Sequence, residues 1–174
     1  MYRFFVADEY VTSIQEIDLV ALKAKGKKII FTDLDNTLVA PMIKKPNEEV
    51  KQFFERAYEL GFTIHIVSNN NEVRVAEFAK DFCDFAHHRS LKPLTLKLRR
   101  ILKQYRKEDV LMIGDQLMTD VLCAKQLGLY TILVHPVHLE TDESVTRVNR
   151  YLERHVVSQL KKRQLPIPSY LDKQ

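Results

Sequence analysis

Two aspartates two positions apart, Asp33 and Asp35, close the apolar run that opens IIFTDLDNTLVA, residues 29 to 40. Like charges that close raise each other's cost of ionisation, and a fold with no use for the pair should have dispersed it. Ser68 and Asn69, Lys92, Asp115 and Asp120 also follow or precede apolar runs. Carboxylates with one lysine and one hydroxyl suit phosphoryl transfer assisted by a magnesium ion. Hard cations of this kind take oxygen ligands, often one or two carboxylates plus substrate phosphate. Asp33 and Asp115 could supply those ligands. Lys92 offers a compact positive charge and Ser68 a hydroxyl donor for phosphate oxygens. Asp33 is then free to act as a carboxylate nucleophile. Asp35 can protonate the leaving oxygen and later take a proton from water.

Such groups need strand ends to hold them. KKIIFTD, FTIHIVS, DVLMIGD and YTILVHPV read as buried strands, with CDFAH a brief strand candidate. Ser13 and Glu16 have capping-box spacing for a helix over 14–25, closed by Gly26. Asn47 can cap EEVKQFFERAYEL, which stops at Gly61. NNEVRVAEFAKDF and TDVLCAKQLG are helical in pattern, PLTLKLRRILKQY is a helix opened by Pro93, and a last helix spans about 143–163 before Pro166 and Pro168. This alternation predicts one α/β domain over 1–174: a doubly wound, Rossmann-like parallel sheet of about five strands. In such sheets ligands bind beyond the carboxyl ends of the strands, where strand order reverses. The candidate residues fall at those ends.

"DLDNT" at 33–37, "VSNN" at 67–70, "LKP" at 91–93 and "GDQLMTD" at 114–120 resemble, in order, the four motifs of the haloacid dehalogenase (HAD) superfamily of phosphatases. More narrowly the chain resembles subfamily IIIA and its YqeG subgroup, which is similar to mitochondrial phosphatidylglycerophosphate phosphatases. The resemblance covers nearly the whole chain. It implies Asp33 as nucleophile and Asp35 as general acid/base, Asp35 also ligating metal through its backbone carbonyl. Ser68, Asn69 and Lys92 would bind the phosphoryl group. Asp115 would complete the magnesium site, and Asp120 would support Lys92 or the metal's waters. Asn36 departs from the pattern, standing where many relatives have glycine. His87 and His88 lie near Lys92, and surface or core placement is the commoner fate of such a pair.

The intervals from Asp35 to Ser68 and from Ser68 to Lys92 are filled by core elements, which implies a HAD core without a cap domain. An open site, screened by the loop at about 38–47 or by a second subunit of a homo-oligomer, tolerates a large substrate. A phosphatidylglycerophosphate-type lipid head group is the leading expectation, and a small metabolite or phosphoprotein the alternative. A regulator phosphorylated on aspartate is a third reading. Asp35 weighs against it, because it gives the aspartyl phosphate a base to hydrolyse it. Neither GxGxxG nor GxxxxGK[ST] is present, and 4 glycines leave none for a phosphate cradle.

The 45% hydrophobic and 29% charged content is that of a globular protein. No apolar run approaches the roughly 20 residues of a membrane span, and MYRFFVADEY has acids where a signal peptide needs apolar residues. A cytoplasmic location follows as the expectation. Cys83 and Cys123 have no metal spacing and read as apolar fillers. The net charge of +4 hints only weakly at an anionic partner, and no nucleic acid is expected. Basic residues gather from Lys92 to Lys107 and from Arg147 to Arg163. In the last helix Val145, Val148, Leu152, Val156 and Leu160 form an apolar stripe, and Arg147, Arg150, Arg154 and Lys161 mostly lie off it. Such a face is usually solvated. The sharper reading is that it attracts an anionic membrane surface, with the protein peripheral to it.

Overall fold

The computed structural model describes residues 2–80, 82, 83, 85–138 and 144–167, the last stretch with side chains from Tyr151 onward. Six strands form one sheet in the order β1-β6-β5-β2-β3-β4: β1 Glu9–Val11, β2 Ile29–Thr32, β3 Thr63–Val67, β4 Phe85–His87, β5 Val110–Gly114 and β6 Tyr130–Val134. Every pairing is parallel. The expected strands are present, and β1 is the addition to the expected five. Its three half-buried residues lie at the sheet edge, too short to show a period of their own.

Among the described residues five α-helices connect them, α1 Leu19–Ala24, α2 Glu48–Glu59, α3 Glu72–Ala79, α4 Leu96–Leu102 and α5 Leu122–Leu127, and α6 Ser144–Lys162 follows β6. Strands covered on both sides must be apolar throughout, and all four residues of β2 are buried. Ile30, Ile64 and Ile66 pack with Phe53, Phe54 and Phe78 on the α1–α2–α3 side. Phe31 and Met112 pack with Leu98, Leu102 and Leu127 on the α4–α5 side. Burial of such side chains contributes ~1.5–3 kcal/mol each.

Caps explain most boundaries. The Asn47 side chain accepts from the Val50 N–H at 3.0 Å, as expected for α2. Asn71 does the same for Arg74, so α3 starts after it. Several boundaries differ from the sequence reading, α3 ending at Ala79 and α4 at Leu102 rather than at Phe82 and Tyr105. The helix over 14–25 is split into a 3₁₀ turn, Ile14–Glu16, and α1, which Asp18 caps. The helix expected from Pro93 begins at Leu96, because Leu94 N–H donates to Leu91 C=O in a preceding turn. Leu117–Val121 is a π-helical turn before α5.

On α6, Val156, Val157 and Leu160 are buried, and Val157 packs with Ala7, Leu117, Val121 and Leu133. Leu152, expected in the apolar stripe, is exposed instead. Val145, Val148, Arg147 and Arg150 lie outside the described side chains, and Pro168 outside the described residues. Among the described residues no helix is long and apolar enough to cross a membrane.

Candidate active site

The chain runs outward from β2 through β3 to β4, then returns to β5 on the other side of β2. Strand order therefore reverses between β2 and β5, where a crevice opens beyond the strand ends. Asp33 follows β2 and Asp115 follows β5. The Asp33 N–H donates to Ile113 C=O at 2.9 Å, which ties the two strand ends together. Asp120 joins them from the π-helical turn, whose Asp120 and Val121 N–H groups both donate to Gln116 C=O. Turns of this kind recur at functional sites. Carboxylate oxygens of Asp33, Asp115 and Asp120 all lie within 4.8 Å of one another, and all three residues are buried.

Lys92 enters this cluster from the loop after β4. Its Nζ lies 2.6 Å from Asp33 Oδ1 and 2.7 Å from Asp120 Oδ1. Burial pulls the ammonium down, but Asp120 and Asp33 outweigh it and hold the lysine above its ordinary range. Burial, joined by the Asp120 and Asp35 charges, pushes Asp33 up to about 7 against the pull of Lys92. Asp115 is raised well above the usual carboxylate range by burial and by Asp120 and Asp33. Thr37 Oγ donates to Asp115 Oδ1 at 2.9 Å and opposes that rise. Two carboxylates thus pair with one buried ammonium and a third, Asp115, lies beside them; Asp33 and Asp115 bind protons more tightly than they would in water. An all-oxygen donor set with surplus negative charge fits magnesium.

The loops after β3 and β4 are clasped together. Ser68 N–H donates to His87 C=O, and the Ser90 hydroxyl donates to Ser68 C=O at 2.7 Å. Ser68 is buried, its Oγ accepting from Asn70 N–H at 3.1 Å. The Asn69 amide donates to Lys92 C=O at 2.9 Å and accepts from Lys92 N–H at 2.8 Å. Its side chain is therefore committed to the lysine's main chain, so what Asn69 does for phosphate runs through Lys92.

Asp35 stands apart from the three-carboxylate cluster. Arg74 Nε and Nη2 donate to its Oδ1 at 3.1 and 2.8 Å, and Asn70 Nδ2 donates to its Oδ2 at 3.1 Å. Arg74, Thr37 and Asn70 join the site without being among the residues that the sequence pattern marks. Thr37 and Asn70 did lie inside the quoted motifs, whereas nothing local marks Arg74. The expectation for the departure at Asn36 is a change in the turn and on the leaving-group side but not at the metal site; Asn36 has φ +67, a left-handed conformation that glycine adopts freely and asparagine tolerates. His87 bonds through its ring to His65 at 3.0 Å, and His65 to the Tyr105 hydroxyl at 2.9 Å. Burial lowers His65 to about 4 and also lowers His87, so both act as neutral packing groups. His88 is more exposed, 4.0 Å from Glu72.

The fold is a doubly wound α/β domain, and the carboxylates and lysine gathered at its switch point suit phosphate-ester chemistry. The HAD-hydrolase-like family model matches residues 91–161. A Bacillus subtilis (strain 168) protein named "Probable phosphatase YqeG" is 40% identical over 163 residues, covering 92% of this chain and 94% of its own. The chain belongs to this family, the HAD-like phosphatases related to YqeG. The chloroplastic/mitochondrial phosphatidylglycerophosphate phosphatase 1 of Arabidopsis thaliana is 26% identical over 87% of this chain, which spans only 47% of that relative. A crystal structure of an uncharacterized protein from Listeria monocytogenes serotype 4b shares the fold. Its TM-score is 0.55 at 17% identity, over 67% of this chain and 85% of that one.

Proposed function

We propose that the protein is a magnesium-dependent phosphomonoester hydrolase working through an aspartyl phosphate on Asp33. The observation that carries the proposal is the convergence of Asp33, Asp115 and Asp120 around the Lys92 ammonium at the switch point. Asp33, Asp115 and the main chain of Asp35 would hold the magnesium ion, with Asp120 supporting Lys92. The ion would neutralise phosphate charge and polarise the ester for attack.

An Asp33 oxygen bonds to phosphorus as the ester P–O bond breaks, and the proton for the leaving oxygen comes from the Asp35 carboxyl. Asp35 then takes a proton from the water that attacks phosphorus, which releases inorganic phosphate and frees Asp33. Lys92 and the Ser68 hydroxyl bind the phosphoryl oxygens. Arg74 and Asn70 hold Asp35 toward α3, so proton delivery includes its turning from them to the substrate. No inserted domain separates β2 from β3 or β3 from β4 among the described residues, and this openness favours a bulky ester. A phosphatidylglycerophosphate-type lipid is the substrate the reading favours, in keeping with the plant relative's name.

The test is hydrolysis across phosphorylated lipids, sugars, nucleotides and peptides, with and without magnesium. Activity should require magnesium, be highest on the lipid, and fall more than about 10³-fold in Asp33→Asn. Hydrolysis that survives Asp33→Asn would show the nucleophile to be another residue.

A further inference from the structure

The turn that delivers Lys92 also carries a leucine-tipped basic face that the reaction does not use. Leu91, Leu94 and Leu96 are 55%, 60% and 72% exposed, although leucine is among the residues most often buried. They flank a lysine whose own side chain is buried against Asp33 and Asp120. Along α4, Leu98 and Leu102 face the core. Leu96, Arg99, Arg100 and Lys103 recur at helical spacing on the opposite, exposed side.

Along the segment that carries these leucines the charge has one sign, and the acids that approach it come from α3: Glu72 lies 4.0 Å from His88, and Glu77 pairs with Lys44 of the loop after β2. Between Phe85 and Lys107 the chain has eight lysines and arginines and no aspartate or glutamate. Among the described residues none of Arg89, Arg99, Arg100 and Lys103 forms an ion pair. The loop after β2 adds exposed Met42 and Ile43 beside Lys44 and Lys45 at the same end of the sheet.

We infer that this rim is a docking surface for an anionic lipid bilayer, the leucines entering the interface and the cations meeting its headgroups. Aliphatic side chains interleaved with unpaired cations suit the apolar–anionic boundary of a membrane. A second copy of the chain would bring like charge against like charge, and a nucleic acid would be met by aromatic stacking platforms, which the leucines do not supply. Docked in this way, Lys92 and Asp33 lie at headgroup level, where a lipid phosphomonoester presents its phosphate. The inference rests on the phosphatase reading for that purpose, but not for the binding itself. It moves the membrane contact from the last helix to the mouth of the site.

The test is flotation of the full chain with vesicles of phosphatidylcholine alone or mixed with phosphatidylglycerol, at low and high salt. Hydrolysis of soluble p-nitrophenyl phosphate is measured alongside. The wild type should float with the anionic vesicles at low salt. Leu94→Glu/Leu96→Glu and Arg99→Glu/Arg100→Glu should each weaken that partition at least about tenfold while leaving soluble-ester hydrolysis intact. Arg154→Glu/Lys161→Glu on α6 should float as the wild type does.

No wild-type flotation, undiminished flotation of the rim variants, or loss only in the α6 variant would overturn the inference. So would retention on single-stranded RNA without flotation, or a dimer abolished by Leu94→Glu/Leu96→Glu without flotation. A wild type that floats but hydrolyses no phosphomonoester would instead sink the phosphatase reading and leave the docking face standing.

Discussion

At the residue scale the site depends on close approach as much as on charge. A Cβ added at Gly114 would meet Asp120 Cβ and Cγ at 2.4 Å. Atoms so near the root of a side chain cannot swing clear, so alanine there must push Asp120 away from Lys92. Gly114→Ala should lose at least about tenfold in kcat/KM and ~1–3 kcal/mol of stability. At ~2–4 °C per kcal/mol for a chain of this size, the loss is readable as a Tm shift. Wild-type turnover in that variant would show that the position of Asp120 is immaterial. Arg74 works at the same scale, giving Asp35 a fixed partner on α3.

At the element scale the important construction is the clasp between the loops after β3 and β4. Arg89 and Leu91 adopt left-handed φ of +46 and +60 without being glycine. Such positions cost of order 1–3 kcal/mol each and persist only where surrounding contacts over-determine them. Here the contacts are Arg89 N–H to Asn70 C=O, the Ser90 hydroxyl to Ser68 C=O, and the paired Asn69–Lys92 hydrogen bonds. Asn69→Ala removes both of the last while leaving the Lys92 charge in place. Losing two part-buried bonds should lower kcat/KM about tenfold and weaken inhibition by inorganic phosphate in proportion. Unaltered kinetics and phosphate inhibition would mean that Lys92 is held without Asn69.

For the whole molecule the buried carboxylates set a pH dependence opposite to ordinary acid denaturation. Asp33 is raised from 3.8 to about 7, chiefly by burial, so the folded state holds that proton more tightly than the unfolded chain. The associated stability is complete below about 4 and is lost as pH rises through about 7. Asp115 shifts in the same direction. His65 and His87, both lowered by burial, contribute the opposite slope below about 6.5, so the Tm of the metal-free protein should fall most clearly between pH 6.5 and pH 8. In that window the exposed Glu16 and Glu108, both lowered by their hydrogen bonds, stay ionised. Magnesium should raise Tm most at the alkaline end, where the cluster is fully charged, and much less in Asp115→Asn. A flat metal-free profile, or equal magnesium stabilisation of Asp115→Asn, would contradict this electrostatic account.

Much of this was legible along the chain. Parallel strands buried on both faces must be continuously apolar, so β2, β3, β5 and β6 announce themselves, and the polar residues ending them mark the site. Asp33, Asp35, Ser68, Lys92, Asp115 and Asp120 could be named because residue type and order are local properties. The edge strand β1 was not legible, since three half-buried residues have no period and their partner β6 lies most of the chain away. Nor was Arg74, whose meeting with Asp35 depends on how α3 packs beside the β2 loop. The π-helical turn that brings Asp120 against Gly114, and the exposure of Leu91, Leu94 and Leu96, are set by how the chain packs. Local pattern determined the strands and the chemistry available at their ends. Packing between segments distant in sequence decided which charges are buried together, which side chains hold them, and which apolar groups face outward.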